Sequence, residues 1–192
     1  MYAWVKAPRE DIFHNAVVLE NKGLELNLDA VALQKNKLKW TISGNFSYND
    51  WTGVSLLKFN HLPRSLYGIG TRLTYAGFTA ELYGRGAWGH QICNLNKMYM
   101  EGLDDELSCL ENAGYFSLSS AALFYEFGIK HVKFIKSITA SLTAANCFTV
   151  SRYSGKTPDI NSYAFRGYSN LGYDDSSLSP ATTLVMGISV RF

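Results

Sequence analysis

The 192-residue chain has no uninterrupted apolar run near about 18 residues, so it contains no transmembrane helix. Its formal net charge is only +2. That is too small to argue for nucleic acid or for an anionic surface as a partner. It has three cysteines and no CxxC, which removes zinc ribbons and thioredoxin-type sites. Cys93 and Cys109 flank one loop. They pair in an oxidising compartment or stay as free thiols, and the sequence leaves both open. His14, His61, His90 and His131 are scattered without HxxxH or HExxH spacing, so no metal site is supported. No serine or cysteine sits in a GxSxG-like context. The opening Met1-Tyr-Ala-Trp-Val-Lys-Ala-Pro8 has no basic region followed by an apolar stretch, so it is not a signal peptide. A location outside the cytoplasm would require a segment upstream. At this length the chain suffices for one domain with a sizeable core, taken as residues 1–192.

What is present is aromatic and alternating. Aromatics make up 14% of the chain, with twelve tyrosines, which leans towards β structure or a binding surface. The clearest stretch is the last, residues 182–192. Leu184, Met186, Ile188, Val190 and Phe192 take every second position there, between Thr183, Val185, Gly187, Ser189 and Arg191. A period of two is a β-strand with one apolar face, and about eleven residues suits a tilted strand crossing a bilayer.

The same pattern recurs upstream. Residues 1–22 show no clean period. Leu24, Leu26, Leu28, Ala30 and Ala32 then share one face, residues 34–37 make a polar turn, and Leu38, Trp40, Ile42, Phe46 and Tyr48 answer them. A second hairpin places Tyr67, Ile69, Thr71, Leu73 and Tyr75 before the tight turn Ala76-Gly77, with Phe78, Ala80, Leu82, Gly84, Gly86 and Trp88 after it. A third begins with Phe116 and Leu118, slips by one residue at Ser119-Ser120, and resumes at Ala121, Leu123, Tyr125 and Phe127; the slip predicts a β-bulge. Ile138, Ala140, Leu142 and Ala144 follow a lysine-bearing turn. Seven strands result. Short connections (34–37, 76–77, 128–136) alternate with long ones (49–65, 89–114, 151–181).

Two architectures alternate in this way. One is a soluble β-sandwich that binds carbohydrate through loop aromatics. The other is an antiparallel up-and-down transmembrane β-barrel. Three observations favour the barrel. The apolar register carries no Asp, Glu, Lys or Arg, whereas the other holds Glu25, Asp29, Lys39, Arg72, Glu81, Arg85, Glu126 and Arg191. The arms exceed the usual five or six residues of soluble strands. Aromatics crowd the strand ends, as interfacial girdles do. Seven is an odd count, and an isolated seven-stranded sheet would be open, with two edges that cannot face lipid. The expectation is therefore the C-terminal part of a larger barrel.

Several segments resemble one family. Leu19-Glu-Asn-Lys-Gly-Leu-Glu-Leu26, Tyr75-Ala-Gly-Phe78, Ala145-Asn-Cys-Phe-Thr-Val-Ser-Arg-Tyr-Ser-Gly-Lys-Thr-Pro-Asp159 and the closing Val190-Arg-Phe192 are similar to segments of SusC/RagA-type TonB-dependent outer-membrane receptors. Cys147, Lys156 and Thr157 depart from that pattern. The resemblance implies the last seven strands of a 22-stranded, plugged barrel in a Gram-negative outer membrane, importing glycans or peptides with a SusD-like lipoprotein. It implies as partners the remainder of the barrel and plug, outer-membrane lipid, and TonB acting through an N-terminal part without counterpart in these residues. Neither cofactor nor enzyme activity is implied. Phe192 would carry the C-terminal signal for barrel assembly.

The remaining motifs are weak. Gly84-Arg-Gly-Ala-Trp-Gly89 fits GxGxxG, but a dinucleotide fingerprint needs a helix after it, and an alternating strand occupies the place. Asp104-Asp-Glu106 and Asp174-Asp175 offer carboxylates to a hydrolase or to Ca²⁺ but lack EF-hand spacing. Tyr99, Tyr153, Tyr163, Tyr168 and Tyr173 lie in the long loops. They are candidates for stacking on a ligand or touching the lid protein, with packing among the loops as the alternative.

Overall fold

The computed structural model describes residues 2–6, 13–18, 20–52, 59–105, 107–128, 134–159, 172–175 and 177–192. In chain order the elements are β1 (Tyr2–Lys6), β2 (Phe13–Val18), β3 (Glu20–Lys35), β4 (Leu38–Thr52), β5 (Ser65–Tyr75) and β6 (Phe78–Trp88). Then come β7 (Gln91–Asn94), α1 (Leu95–Glu101), β8 (Leu110–Asn112), β9 (Tyr115–Gly128), β10 (Ser137–Ser151), β11 (Tyr173–Asp174) and β12 (Thr183–Arg191). Seven long strands form one open antiparallel sheet in the order β12-β10-β9-β6-β5-β4-β3. These are the seven strands the alternation predicts, each beside its nearest long neighbour in sequence.

Cross-strand pairing tests the phases independently, because backbone hydrogen bonds set it. One row runs Leu33–Trp40–Leu73–Ala80–Leu123–Leu142–Met186 across all seven strands. Another runs Ala30–Ile42–Thr71–Leu82–Ala121–Ala144–Leu184. Neither row carries a charge. The alternate row Val31–Thr41–Arg72–Glu81–Ala122–Thr143–Val185 does. Pleating puts such rows on opposite faces. The apolar face is uncovered: Leu28 is 61% exposed, Ile69 53%, Leu123 56% and Ile188 80%.

The turns at one rim follow local chemistry. Ala76 (φ 47) and Gly77 (φ 94) both take the left-handed conformations of a two-residue hairpin, and Asn36 does the same at φ 53 between β3 and β4. On β5 ten residues separate Ser65 from Tyr75. At about 3.4 Å per residue and a barrel tilt near 40°, that height is roughly 25 Å, the thickness of an outer-membrane apolar band.

Three features differ from the sequence expectation, and one, the predicted bulge, agrees with it. Residues 1–22 include strands without a clean period: β1 and β2 pair as a hairpin and β3 already starts at Glu20. The predicted bulge lies where the phase slips, with Ser119 skipped between the pairs Tyr83↔Ser120 and Gly84↔Leu118. A second bulge skips Ala32, between Val31↔Thr41 and Leu33↔Trp40, and returns Leu33 rather than Ala32 to the apolar face. The loops 89–114 and 151–181 contain β7, α1, β8 and β11, which form a small sheet of order β11-β7-β8. The lysine-bearing turn falls mostly on residues 129–133, outside the described residues.

Candidate functional site

Two surfaces have chemistry. The first is the polar face of the large sheet. A hollow of about 530 Å³ on it is lined by residues of β3, β4, β5, β6 and β9, among them Asp29, Thr41, Ser43, Arg72, Glu81 and Tyr83. A hollow spanning five strands is what a curving sheet makes on its inner side, so the polar face is the concave one. Arg72 and Glu81 stand opposite each other and pair at 2.6 Å. A smaller hollow of about 110 Å³ adjoins it, lined by Asn27, Asp29, Ser43, Gly44, Asn45, Gly68, Gly70 and Tyr83. Glycine leaves room there: a Cβ on Gly68 would meet the Asn45 amide oxygen and the Tyr83 hydroxyl at 2.8 Å, so any side chain at this position would push those two flexible ends aside.

The second surface is a cap built by the long loops at the rim opposite the tight turns. Phe59, Ile92, Cys93, Cys109, Ala113 and Tyr153 are buried in it, and of the buried apolar residues described only Ala87 and Tyr115 belong to the large sheet. Cys93 and Cys109 form a disulfide across a separation of 16. The pairing the sequence left open is thus resolved. Asn94 caps α1 by accepting from the Lys97 amide at 3.1 Å, and Gly102 ends it at φ 64. The Tyr153 hydroxyl donates to Asp174 at 2.6 Å, and Asp174 also accepts from the Ser177 amide. Burial and this bond push the Tyr153 phenol well above its ordinary range. Glu111 accepts from the Ser154 amide and hydroxyl, both at 2.7 Å, and pairs with Lys97 at 3.3 Å. Burial pushes the Glu111 carboxyl up; the Ser154 bonds and Lys97 outweigh it and hold it below its ordinary value. Burial also lowers the His90 imidazole, against the opposing influence of the Pro158 carbonyl and Asp159.

The residues singled out from sequence part company here. Tyr153 is 7% exposed and spends its hydroxyl inside the cap. Tyr173 is half-buried, edge-on to Phe59 at 5.6 Å. Tyr99 is 68% exposed on α1. Tyr163 and Tyr168 lie outside the described residues. Phe192 follows β12 at the tight-turn rim, 72% exposed. Of the carboxylates weighed for hydrolysis, Asp174 is engaged as above and Asp105 accepts from the Leu107 amide at 3.1 Å, while Glu106 lies outside the described residues. Among the described residues no three His, Cys, Asp or Glu come together to hold a metal. The GxGxxG glycines lie in β6 and just beyond it, with no helix at their end. Sequence reasoning missed an ion pair between Arg85 of β6 and Asp159 of the loop after β10. The only signal was a lone Arg on a strand and an Asp in a quoted motif.

The class these features define is an open, antiparallel segment of an up-and-down β-barrel with an elaborate loop cap at one rim. No family model matches the chain, and no curated protein does. Solved structures do. A chain of the RagAB peptide importer in its "open-open" state matches at TM-score 0.78 and 13% identity, over 100% of this chain and 31% of that one. A chain of the RagAB peptide transporter matches at TM-score 0.78 and 14% identity, over 95% and 30%. The "closed-closed" importer matches at TM-score 0.77 and 14% identity, over 98% and 32%. The chain thus spans about a third of these structures' chains. At such identities the likeness shows the fold. The matched structures are described as a peptide importer and a peptide transporter.

Proposed function

We propose that the chain forms the C-terminal wall, mouth loops and closing strand of a SusC/RagA-type TonB-dependent receptor in a Gram-negative outer membrane. The whole receptor imports peptides or glycans with a SusD-like lipoprotein on its outer face and energy from TonB. The observation that carries this reading is the cross-sheet rows: apolar and uncovered on one face, polar and hollowed on the other. Lipid covers the first and a plugged lumen the second. The disulfide in the cap supports placing that rim in an oxidising space. Tyr99, exposed on the cap, is the residue best placed to touch the lid protein. A soluble β-sandwich would need a second sheet over the apolar face, and among the described residues none lies there.

Fractionation of the source cells, probed with an antibody to residues 151–181, tests this. A membrane band is expected; a soluble one sinks the proposal. Phe192 is proposed as the assembly signal. Deleting it should leave less protein in the outer membrane, and unchanged assembly would remove that role.

A further inference from the structure

We propose that Arg85 and the hollow beside it form a carboxylate-binding site on the concave wall, held in this structure by the chain's own Asp159. Three groups converge on the Asp159 carboxylate. The Arg85 guanidinium pairs with it, and the Tyr115 phenol lies near enough that burial and the Asp159 charge together hold it protonated. The His90 imidazole lies within electrostatic reach; it is 6% exposed, and its Nδ1 has no hydrogen-bond partner. A planar guanidinium with a phenol donor beside it is the arrangement that recognises a carboxylate.

The two sides of this contact are built differently. Arg85 and Tyr115 stand on adjacent paired strands, at the neighbouring pairs Arg85↔Ser117 and Ala87↔Tyr115. Tyr115 is 8% exposed, so its position is fixed by packing. Asp159 comes from loop, eight residues past the end of β10, and among the described residues its backbone amide is tied to the Thr157 hydroxyl at 3.3 Å. The Arg85 side chain is still 52% exposed with Asp159 in place, and Asp159 is 40% exposed. Tyr115 is thus fixed by packing and Arg85 open to solvent, while the acceptor is displaceable. An exposed ion pair of this kind contributes little, so a second carboxylate competes with it on near-equal terms.

The hollow supplies the rest of a ligand's contacts. Gly68 pairs directly with Arg85 and floors the space lined by Asn27, Asp29, Ser43, Asn45 and Tyr83; the Asp29 carboxylate keeps a second negative charge out of the hollow, so the ligand's carboxylate stays at Arg85 and its neutral groups face the hollow. Amide and hydroxyl groups there suit a solute that follows its carboxylate with further amides or hydroxyls. A peptide C-terminus and an acidic sugar share that chemistry. The site deepens the proposed function, since it rests on the concave face being the lumen.

The test is direct binding to the folded protein extracted from its own membrane. The probes are the tripeptide Gly-Ala-Ala, its C-terminal amide, and digalacturonate. D159N removes the competing carboxylate at nearly constant size and leaves the Arg85 charge unpaired, so affinity for the free tripeptide should rise about two- to fivefold, the range of a lost exposed ion pair. That gain requires folded protein, which guards against misfolding. R85Q should weaken binding by roughly tenfold or more, and Y115F should weaken it less. The tripeptide amide should bind weakly and ignore all three changes. Digalacturonate binding with the same Arg85 dependence would assign the site to acidic sugars; tripeptide binding alone would assign it to peptides. Equal binding of acid and amide, or indifference of the acid probes to D159N and R85Q, overturns the proposal. Arg85-dependent binding in a chain that fractionates as soluble would sink the receptor reading alone. A membrane protein without such binding would sink this site alone.

Discussion

Leu82→Arg distinguishes a lipid-facing surface from a solvent-facing one. Leu82 lies on β6, four residues from Phe78 and six from Trp88. At about 3.4 Å per residue and a tilt near 40°, it sits roughly 10 Å from one aromatic rim and 16 Å from the other. It is thus close to mid-height of the apolar band, between Thr71 and Ala121 in its row, and 47% exposed. On the surface of a soluble sheet, an arginine at a half-exposed site changes stability by about 0.5 kcal/mol or less. At a bilayer midplane it costs about 2–4 kcal/mol, or roughly 30- to 1000-fold in the folded-to-unfolded ratio. Ala122→Arg is the control. Ala122 is at nearly the same height on the opposite face, directly across from Glu81, so an arginine there is neutral or slightly favourable. The assay is urea unfolding in liposomes, followed by tryptophan fluorescence and by gel mobility. Equal stabilities for the two variants would falsify the assignment of the apolar face to lipid.

The cap should respond separately from the sheet. Cys93→Ser opens a loop of 16-residue separation and should cost the cap about 3 kcal/mol, read as faster protease cleavage within residues 95–108 without loss of membrane insertion. Tyr153→Phe leaves the buried Asp174 carboxylate short of its phenol donor and should cost about 1.5–3 kcal/mol, read as lost amide-exchange protection in β7. Acidification should loosen the cap in two steps. His90 has a folded value below its ordinary 6.5 and Glu111 one below 4.5, so both bind fewer protons folded than unfolded. The stabilisation is complete above each ordinary value and is lost as pH falls towards the folded one. His90→Gln should remove the upper step and Glu111→Gln the lower; a cap equally protected from pH 8 to pH 4 contradicts both.

The large sheet was legible because its signal is local and repeated. Each long strand alternates over many positions, and the turn residues Asn36, Ala76 and Gly77 sit where positive φ is needed. The bulge at Ser119 was legible because it displaces apolar residues from their phase. The bulge at Ala32 was not. Ala30, Val31, Ala32 and Leu33 are all apolar, so a slip among them leaves no trace in polarity. The cap was illegible for a different reason. β7 has four residues, β8 three and β11 two, too few to carry a period. They are held by contacts far apart in sequence: β11 pairs in parallel with β7 at Tyr173↔Cys93, and Asp159 meets Arg85 across 74 positions. A loop tyrosine also looks the same in sequence whether it faces solvent, as Tyr99 does, or closes a core, as Tyr153 does.

The chain's surface limits what can surround it. A compact monomer of 21.4 kDa exposes roughly 9,100 Å² by the usual size scaling, whereas this chain exposes 14191 Å². The excess, on the order of 5,000 Å², is surface that a self-contained domain would have buried. A bilayer can cover the apolar face, where Leu28, Ile69 and Leu123 stand open. It cannot cover the sheet's ends. β3 and β12 are the two edges of the sheet, and among the described residues neither has a strand beside its outer row of backbone groups. In hydrocarbon each unpaired group costs several kcal/mol. Membrane placement therefore demands strand partners on both edges, so lipid contact and barrel closure cannot be separated. The cap is under no such demand. Its core, its disulfide and its buried Tyr153–Asp174 bond are internal. In the proposed receptor, the wall thus draws its stability from its surroundings, and the rim that would meet a ligand draws it from within.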